Sequence, residues 1–424
     1  MPTESQSWWH DDLRYRMLFS VAGASGIRGM SSYFFAPKLL LGAGGLASLE
    51  ITAPSLTKNK KALIVTDKYV KNLAEKVLKS LTNGGLQAEI WDEVIPEPPV
   101  DNVLAGVEAA ERLGVDLFVA VGGGSVMDAT KAIWMKYAHP EMDLRQVAPI
   151  NAETLLPTTL NLRSKAYFIA VPTTSGTGSE TTATAVITDG GQKKVLNHPE
   201  LVPDMAILDP AFTVGMPPTL TAYTGMDALA HAIGGVLSHW ANEYTLPMGY
   251  QAISLVRKYL PRAVANGSDY EARYKMLVAS NMAGMAFGNA APGIDHAMGH
   301  AFGKLFKIHH GCAVGIFVPY MMQYVARYSD MYLELARRQE VGGATDREVL
   351  DNLVLMYNSF AASVKCPTTI AGLGITRQQF EEKLEILLDY TLADVVHLMC
   401  IRPVTRDHYR RLYNCAYSGE KVDF

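Results

Sequence analysis

The sequence is poor in charged residues, and the charge that it has is nearly balanced. Charged residues make up 19% of its 424 residues and hydrophobic residues 49%, so material for buried cores is plentiful and a disordered chain is excluded. The 38 basic residues face 42 acidic ones, which leaves a formal charge of −4. Such a chain lacks the basic surface that attracts nucleic acids or anionic membranes. We expect a small-molecule partner and no nucleic-acid partner.

Cysteine is scarce, and no hydrophobic run reaches the 18 residues that would suggest a membrane span. The four cysteines show neither a CxxC pair nor the dense spacing of a disulfide scaffold: Cys312, Cys366, Cys400 and Cys415. This favours a reducing compartment, and we expect a cytoplasmic protein. Basic residues before Met17–Ala24 loosely imitate a signal peptide, but nearby acidic residues and Trp8-Trp9 argue against one.

Two to three domains are expected from a chain of this length, at roughly 150 residues per domain. In the first half, short β-branched runs alternate with helical patterns of ten to fifteen residues, which predicts a parallel sheet. Predicted strands are Ala62–Thr66, Gln87–Trp91, Leu117–Val121 and Phe168–Pro172; predicted helices are Tyr69–Leu81, Val100–Leu113 and Ser125–Tyr137.

The second half is predicted to be all-helical, because long Ala/Met/Leu segments at a period of 3.6 replace the β-branched runs. Pro217-Pro218 marks a reasonable boundary. We therefore divide the chain into an N-terminal extension (1–35), an α/β domain with a Rossmann-like parallel sheet (36–216) and an all-helical domain (217–424).

A strand runs directly into Gly122-Gly123-Gly124-Ser125 and then into a helix. Three glycines allow backbone N–H groups to approach an anion, and the helix N-terminus adds partial positive charge, so a phosphate or pyrophosphate site is predicted. A tight turn without a ligand is the alternative. The loop after the next strand, Pro172–Thr182, is rich in hydroxyls that suit hydrogen bonding to a ligand's ribose or phosphate. A polar surface loop without a ligand is the alternative.

Asp67 closes the first predicted strand, 20 residues beyond the near-GxGxxG segment Gly42–Ala47. An acid at this place accepts hydrogen bonds from a ribose 2′-OH and repels a 2′-phosphate, which favours NAD over NADP. The alternative is that Asp67 caps the following helix.

Histidines cluster in the second half. Asp227 and His231 are spaced i, i+4, as are His296 and His300, and His309-His310 follows. On helices such pairs project from one face. One carboxylate with several imidazoles suits Fe(II), Zn or Mn, and the lack of cysteine argues against a structural zinc site.

From residue 36 to 424 the sequence resembles the iron-containing (group III) alcohol dehydrogenases. The resemblance rests on ordered motifs: VTD, the PxPP segment, GGGSxxDxxK, PTTSGTGSE, GMDALxHA and HxxxHxxGxxxxxxHG. It implies a dehydroquinate synthase-like architecture. Residues 1–35 and the extra length of the loop 139–165 have no obvious counterpart in the family.

The resemblance also implies roles for single residues. The metal ligands are Asp227, His231, His296 and His310, and His300 is a proton-relay candidate. The implied cofactor-binding residues are Asp67, Gly122, Gly123, Gly124, Ser125, Asp128, Thr173, Thr174, Thr177 and Lys193.

The expected activity is hydride transfer between a small alcohol or aldehyde and NAD, with a divalent metal, Fe(II) first, in a cleft between the domains. A homodimer or larger homo-oligomer is expected. Two alternatives stay open: a metal- and NAD-dependent lyase or cyclase of the dehydroquinate-synthase type, and a non-catalytic nucleotide-binding assembly subunit.

Overall fold

The computed structural model describes residues 34–144, 159–190 and 192–424. The predicted N-terminal extension, apart from its last two residues, and the middle of the loop 139–165 lie outside these ranges. The chain divides into two compact units. The first comprises the described residues up to Thr174 together with Ser179–Thr213, and the second comprises Ser175–Gly178 and Val214–Phe424.

A sheet of six parallel strands forms the centre of the first unit. In spatial order these are β1 (Lys38–Leu41), β8 (Met205–Leu208), β5 (Tyr167–Pro172), β4 (Leu117–Gly122), β2 (Lys61–Val65) and β3 (Gln87–Trp91). Strands β4 and β5 are paired along their whole length, ending with Gly122 opposite Pro172. The loops that follow these two strands therefore start side by side at the carboxyl edge of the sheet.

Four helices cover the two faces of this sheet: α1 (Gly45–Leu56), α2 (Lys71–Asn83), α3 (Val100–Leu113) and α4 (Gly124–Ala138). Alternate residues of each strand enter different apolar clusters because side chains point to opposite faces. Val119 and Val121 join the cluster that contains residues of α1 and α2. Phe118 and Ala120 join the one that contains residues of α3 and α4. The strands are buried on both sides, as in other parallel sheets.

The sequence-based elements are recovered with small differences at their ends. Helix α2 begins at Lys71 rather than Tyr69, because Asp67 and the residues after it form a turn. Strands β1 and β8 and the antiparallel hairpin of β6 (Thr184–Asp189) and β7 (Gln192–Asn197) were not predicted. The predicted parallel sheet is confirmed.

The second unit is helical throughout its described elements, as predicted. Its α-helices are α5 (Pro218–Val236), α6 (Thr245–Ala265), α7 (Tyr270–Gly288), α8 (Ile294–Phe306), α9 (His310–Val325), α10 (Met331–Arg338), α11 (Asp346–Ser363), α12 (Arg377–Ala393) and α13 (Arg406–Ser418). Helices α5 and α9 are buried over most of their length. None of the helices in the described ranges has the length and hydropathy that a membrane crossing needs.

Candidate functional site

Four predicted metal ligands come together in the helical unit. Asp227 and His231 lie one turn apart on the buried helix α5, His296 lies in the first turn of α8, and His310 is the first residue of α9. Each side chain offers one ligand atom, and these atoms all lie within 4.8 Å of one another. Asp227 Oδ1 is 3.3 Å from His310 Nε2 and 3.9 Å from His296 Nε2.

The polar atoms of this group indicate a cation. Among the described residues, Asp227 Oδ1 and His296 Nε2 are buried with no hydrogen-bond partner, an arrangement that costs free energy unless something else binds them. The carbonyl oxygen of Gly176 lies 3.3 Å from His231 Nδ1. If it accepts the Nδ1 proton, Nε2 of that ring remains available to a metal. One carboxylate with three imidazoles fits a divalent ion such as Fe(II) or Zn.

The charges of the group are set by burial and by proximity. Burial lowers the pKa of His231 to about 3, so its imidazole is neutral. Burial alone would raise the pKa of Asp227, but the surrounding histidines hold it below its ordinary range. For His296, burial opposes protonation, yet the neighbouring Asp295 carboxylate raises the pKa overall. Metal ligands must be deprotonated, so a cation bound here would displace a proton held by His296, whereas His231 is already neutral.

His300 lies beside this group, one turn after His296 on α8. Its ring stacks on that of His310 with the centroids 5.1 Å apart. Its Nδ1 is 2.7 Å from Oδ2 of Asp394, which directly follows α12. A carboxylate in this position fixes the orientation of an imidazole and stabilises its protonated form. The sequence analysis did not identify Asp394, and no local pattern could have done so because 94 residues separate the pair.

The glycine loop lies between β4 and α4, as predicted. A β-carbon on Gly122 would collide with Val126, so the turn requires glycine there. Helix α4 begins at Gly124 without a side-chain cap and without an acidic residue in its first turn. Uncapped N–H groups at a helix start favour an anionic ligand. Ser125 lies in this first turn and is half-buried.

The predicted threonines of the second loop belong to different units. Thr173 and Thr174 directly follow β5 and belong to the first unit. The side chain of Thr174 lies next to Gly123, since a β-carbon on that glycine would be 3.1 Å from Cγ2 of Thr174. Thr177 belongs to Ser175–Gly178, which is part of the helical unit. Gly178 has a φ of +60°, and its Cβ position is 2.6 Å from Cα of Gly284. Only glycine allows this close approach to α7.

Lys131 and Asp128 hold the remainder of that loop from helix α4. Lys131 Nζ donates to the carbonyl oxygens of Ser179, Thr182 and Thr184 at 2.7–2.8 Å. Asp128 accepts from Ser179 Oγ at 2.8 Å and from the N–H of Val186. Both Asp128 oxygens are therefore used by protein donors, which favours a role in positioning the loop. Lys131 is the lysine of the GGGSxxDxxK motif, but the motif alone did not indicate that this lysine binds the loop.

The last two predicted cofactor residues have protein partners. Asp67 Oδ1 accepts hydrogen bonds from the N–H groups of Tyr69 and Val70 at 2.8 and 3.1 Å, so it does cap the turn before α2. Lys193, on β7, forms an ion pair of 3.2 Å with Glu97. The predicted contacts of Asp67 and Lys193 with a cofactor stay predictions.

Two protein-family models match this chain, one in its first half and one in its second half. A family model described as iron-containing alcohol dehydrogenase matches residues 36–210, and one for the C-terminal part of the Fe-containing alcohol dehydrogenase family matches residues 221–417. The chain is 35% identical over 376 residues to the NADPH-dependent butanol dehydrogenase of Clostridium saccharobutylicum, covering 87% of this chain and 94% of that one.

A second relative is the NAD-dependent methanol dehydrogenase of Bacillus methanolicus, with 32% identity over 376 residues that cover 86% of this chain and 94% of that one. Among solved structures, 1,3-propanediol oxidoreductase aligns with a TM-score of 0.83 and 31% identity, covering 92% of this chain and 100% of that one.

Proposed function

The chain belongs to the iron-containing alcohol dehydrogenase family, and we propose that it transfers hydride between a small primary alcohol or its aldehyde and NAD. The observation that carries this proposal is the buried group of Asp227, His231, His296 and His310. The relatives, named as butanol and methanol dehydrogenases, support an aliphatic alcohol as the substrate class.

The four ligand residues would hold a divalent metal, and we assign Fe(II) first, with Zn or Mn as alternatives. When bound, such an ion acts as a Lewis acid that lowers the pKa of an alcohol hydroxyl. Asp227 would supply one negative charge, and one ring nitrogen of each of the three histidines would supply a lone pair. The donor set contains no thiolate, in keeping with a hard or borderline ion.

His300 is our candidate for moving the hydroxyl proton. Asp394 accepts from Nδ1 and thereby orients the ring and stabilises the imidazolium that forms when Nε2 takes up the proton. The nicotinamide supplies the hydride chemistry, and this chain's residues bind and orient it. The uncapped start of α4 and the Thr173–Thr174 pair support a pyrophosphate site in the first unit.

The test is metal analysis of purified protein combined with assays of alcohols and aldehydes with NAD and NADP. We expect NADH to accumulate with turnover. Its formation should stop when a chelator removes the metal and resume when one of Fe(II), Zn or Mn is added back. A lyase or cyclase that uses NAD transiently would turn over without net NADH, and an assembly subunit would not turn over.

A matched pair of variants adds a control. His310→Ala should lose both metal and activity. His309→Ala changes the adjacent residue, which lies outside the metal group, packs against the ring of Tyr223 and caps α9. It should therefore keep its metal. Full metal content and full activity in His310→Ala would contradict the assignment.

Two further properties form part of the proposal. All four cysteines are free thiols, which supports a reducing compartment such as the cytoplasm. In the described part of the chain β1 is an edge strand whose Leu39 and Leu41 are 37% and 53% exposed, which supports a homodimer or larger assembly. In sedimentation experiments we expect an oligomer that Leu41→Lys weakens; a monomeric wild type would contradict this.

A further inference from the structure

Asp295 is a fully buried acid directly before the metal ligand His296. Its Oδ2 lies 3.0 Å from His296 Nδ1, and the side chains are 0% and 4% exposed. The other nitrogen of that ring, Nε2, is the one directed toward Asp227 in the metal group, at 3.9 Å. Nδ1 of the imidazole therefore contacts Asp295, while Nε2 on the other side of the ring is directed toward the other metal ligands.

The ordinary role of an acid at this place does not explain its burial. Asp295 is the second residue of α8, where a carboxylate interacts favourably with the helix dipole. Asp101 and Asp407 hold the same position in α3 and α13, and both are exposed. Burying a carboxylate costs several kcal/mol unless it is paired, so the dipole alone would not favour this location.

The charge around Asp295 is also unbalanced. Its Oδ1 is buried and has no hydrogen-bond partner among the described residues. In the same part of the chain, the ion pairs of Asp227 and Asp295 involve histidines only. Among the described residues, two buried carboxylates thus flank one imidazole, and neither forms an ion pair with a lysine or an arginine. A divalent cation at the ligand set supplies the matching charge.

The backbone makes room for this carboxylate. Gly293 precedes α8, and a β-carbon there would collide with Asp295 Oδ1. Gly234 of α5 packs against the backbone of Gly293, since a β-carbon on Gly234 would be only 2.6 Å from the backbone nitrogen of Gly293. Glycine at both positions allows the chain to enter α8 with the Asp295 side chain turned toward His296 rather than toward solvent.

We propose that Asp295 is a positioning residue for the metal site: its carboxylate accepts the Nδ1 proton of His296, which fixes the tautomer whose Nε2 lone pair is aimed at the metal. The inference rests on the proposed metal site. Carboxylate–histidine–metal arrangements fix both the tautomer and the orientation of the ring, and their loss weakens metal binding by about 10–100-fold. Asp295 touches neither substrate nor cofactor in this assignment.

The experiment measures the dissociation constant of Zn²⁺ by competition with a chelator, on metal-stripped full-length protein. For Asp295→Ala we expect that constant to rise by about 10–100-fold. Asp295→Asn keeps an oxygen that can accept from Nδ1 but removes the charge, so we expect a smaller rise. Asp407→Ala removes an exposed acid from the same helical position in the same unit, and it should bind Zn²⁺ like the wild type.

Co²⁺ loading gives a second readout that a purely structural residue would not move. We expect the visible absorption of the Co²⁺ form to change in Asp295→Ala, because the His296 ligand is misaligned, and to stay unchanged in Asp407→Ala. Should Asp295→Ala fail to fold, Asp295→Asn carries both measurements. Folded variants with wild-type Zn²⁺ affinity and an unchanged Co²⁺ spectrum would overturn the inference. A wild type that binds no metal would instead overturn the proposed function.

Discussion

Asp67 lies two residues after the end of β2, and one of its carboxylate oxygens caps the turn before α2. The relatives include an NADPH-dependent and an NAD-dependent enzyme, so the coenzyme differs among the proteins that this chain resembles. A negative charge at this strand end disfavours a 2′-phosphate.

Asp67→Asn is the matched change, because the amide oxygen can still accept the two capping hydrogen bonds while the charge is lost. We expect kcat/KM with NADP to rise relative to NAD by about tenfold, or 1.4 kcal/mol. Thermal unfolding should stay near that of the wild type. An unchanged coenzyme ratio would show that Asp67 serves the turn alone.

His300 and Asp394 are expected to act together on the proton. His300→Gln should reduce kcat by about 10²–10⁴-fold, the range of general acid–base catalysis, with metal content unchanged. Asp394→Asn leaves the imidazole in place but removes the charge that stabilises its protonated form, so a smaller loss of kcat is expected. Steady-state kinetics and metal analysis check both variants. If Asp394→Asn lowered metal content rather than kcat, the carboxylate would serve the ligand set instead.

At the scale of elements, sequence patterns predicted the long, strongly patterned pieces well. Strand β3 and helix α3 have the predicted bounds, and β4 and β5 differ by one residue at one end. Strands β1 and β8 escaped prediction because four residues are too few to show a period.

The candidate site was predictable only in part. Spacing of i, i+4 indicated that Asp227 and His231 share a face, and the structure brings them together with His296 and His310. Contacts between residues far apart in the sequence produce no spacing pattern from which they could be predicted. Asp394 meets His300 from another helix end, and the three carbonyl oxygens that Lys131 binds come from a loop about 50 residues away. Asp295 did have a signal, since an acid directly precedes the first histidine of HxxxH.

Lys131 joins helix α4 to the hydroxyl-rich loop, and its loss should loosen that loop. In Lys131→Met the carbonyl oxygens of Ser179, Thr182 and Thr184 lose their short hydrogen bonds to the ammonium group, and a buried group left unsatisfied costs about 1–3 kcal/mol. We expect the Kd for NAD to rise by about tenfold or more, with metal content preserved.

The control for this change lies on the same helix. Lys136 also donates to backbone carbonyls, those of Pro140 and Met142, but outside the hydroxyl-rich loop. Lys136→Met should leave NAD binding unchanged, as measured by fluorescence or calorimetric titration. Equal losses in both variants would indicate general destabilisation of α4 rather than a role in positioning the loop.

For the whole molecule, buried titratable groups couple folding to pH in two opposing ways. Burial lowers the pKa of Lys131 to about 8 from its ordinary 10.5. Between these values the unfolded chain binds more protons than the folded one, so this group makes the free energy of unfolding rise with pH. Burial raises the pKa of the thiols of Cys366 and Cys400 from 9.0 to about 12. Above pH 9 the folded state therefore binds more protons than the unfolded chain, so the contribution of these thiols to the free energy of unfolding falls with pH.

The difference between wild type and Lys131→Met isolates the lysine, because the thiols are common to both. At pH 7.5 the variant should be less stable, since it removes three short hydrogen bonds to backbone carbonyl oxygens. Between pH 8 and 10.5 the gap should widen by up to about 3 kcal/mol, the linkage expected from the lowered pKa. Urea unfolding of both proteins at pH 7.5 and pH 10 measures this. A gap that narrows toward pH 10 would mean that Lys131 keeps its proton in the folded state more tightly than in the unfolded chain, as strong pairing with Asp128 would require.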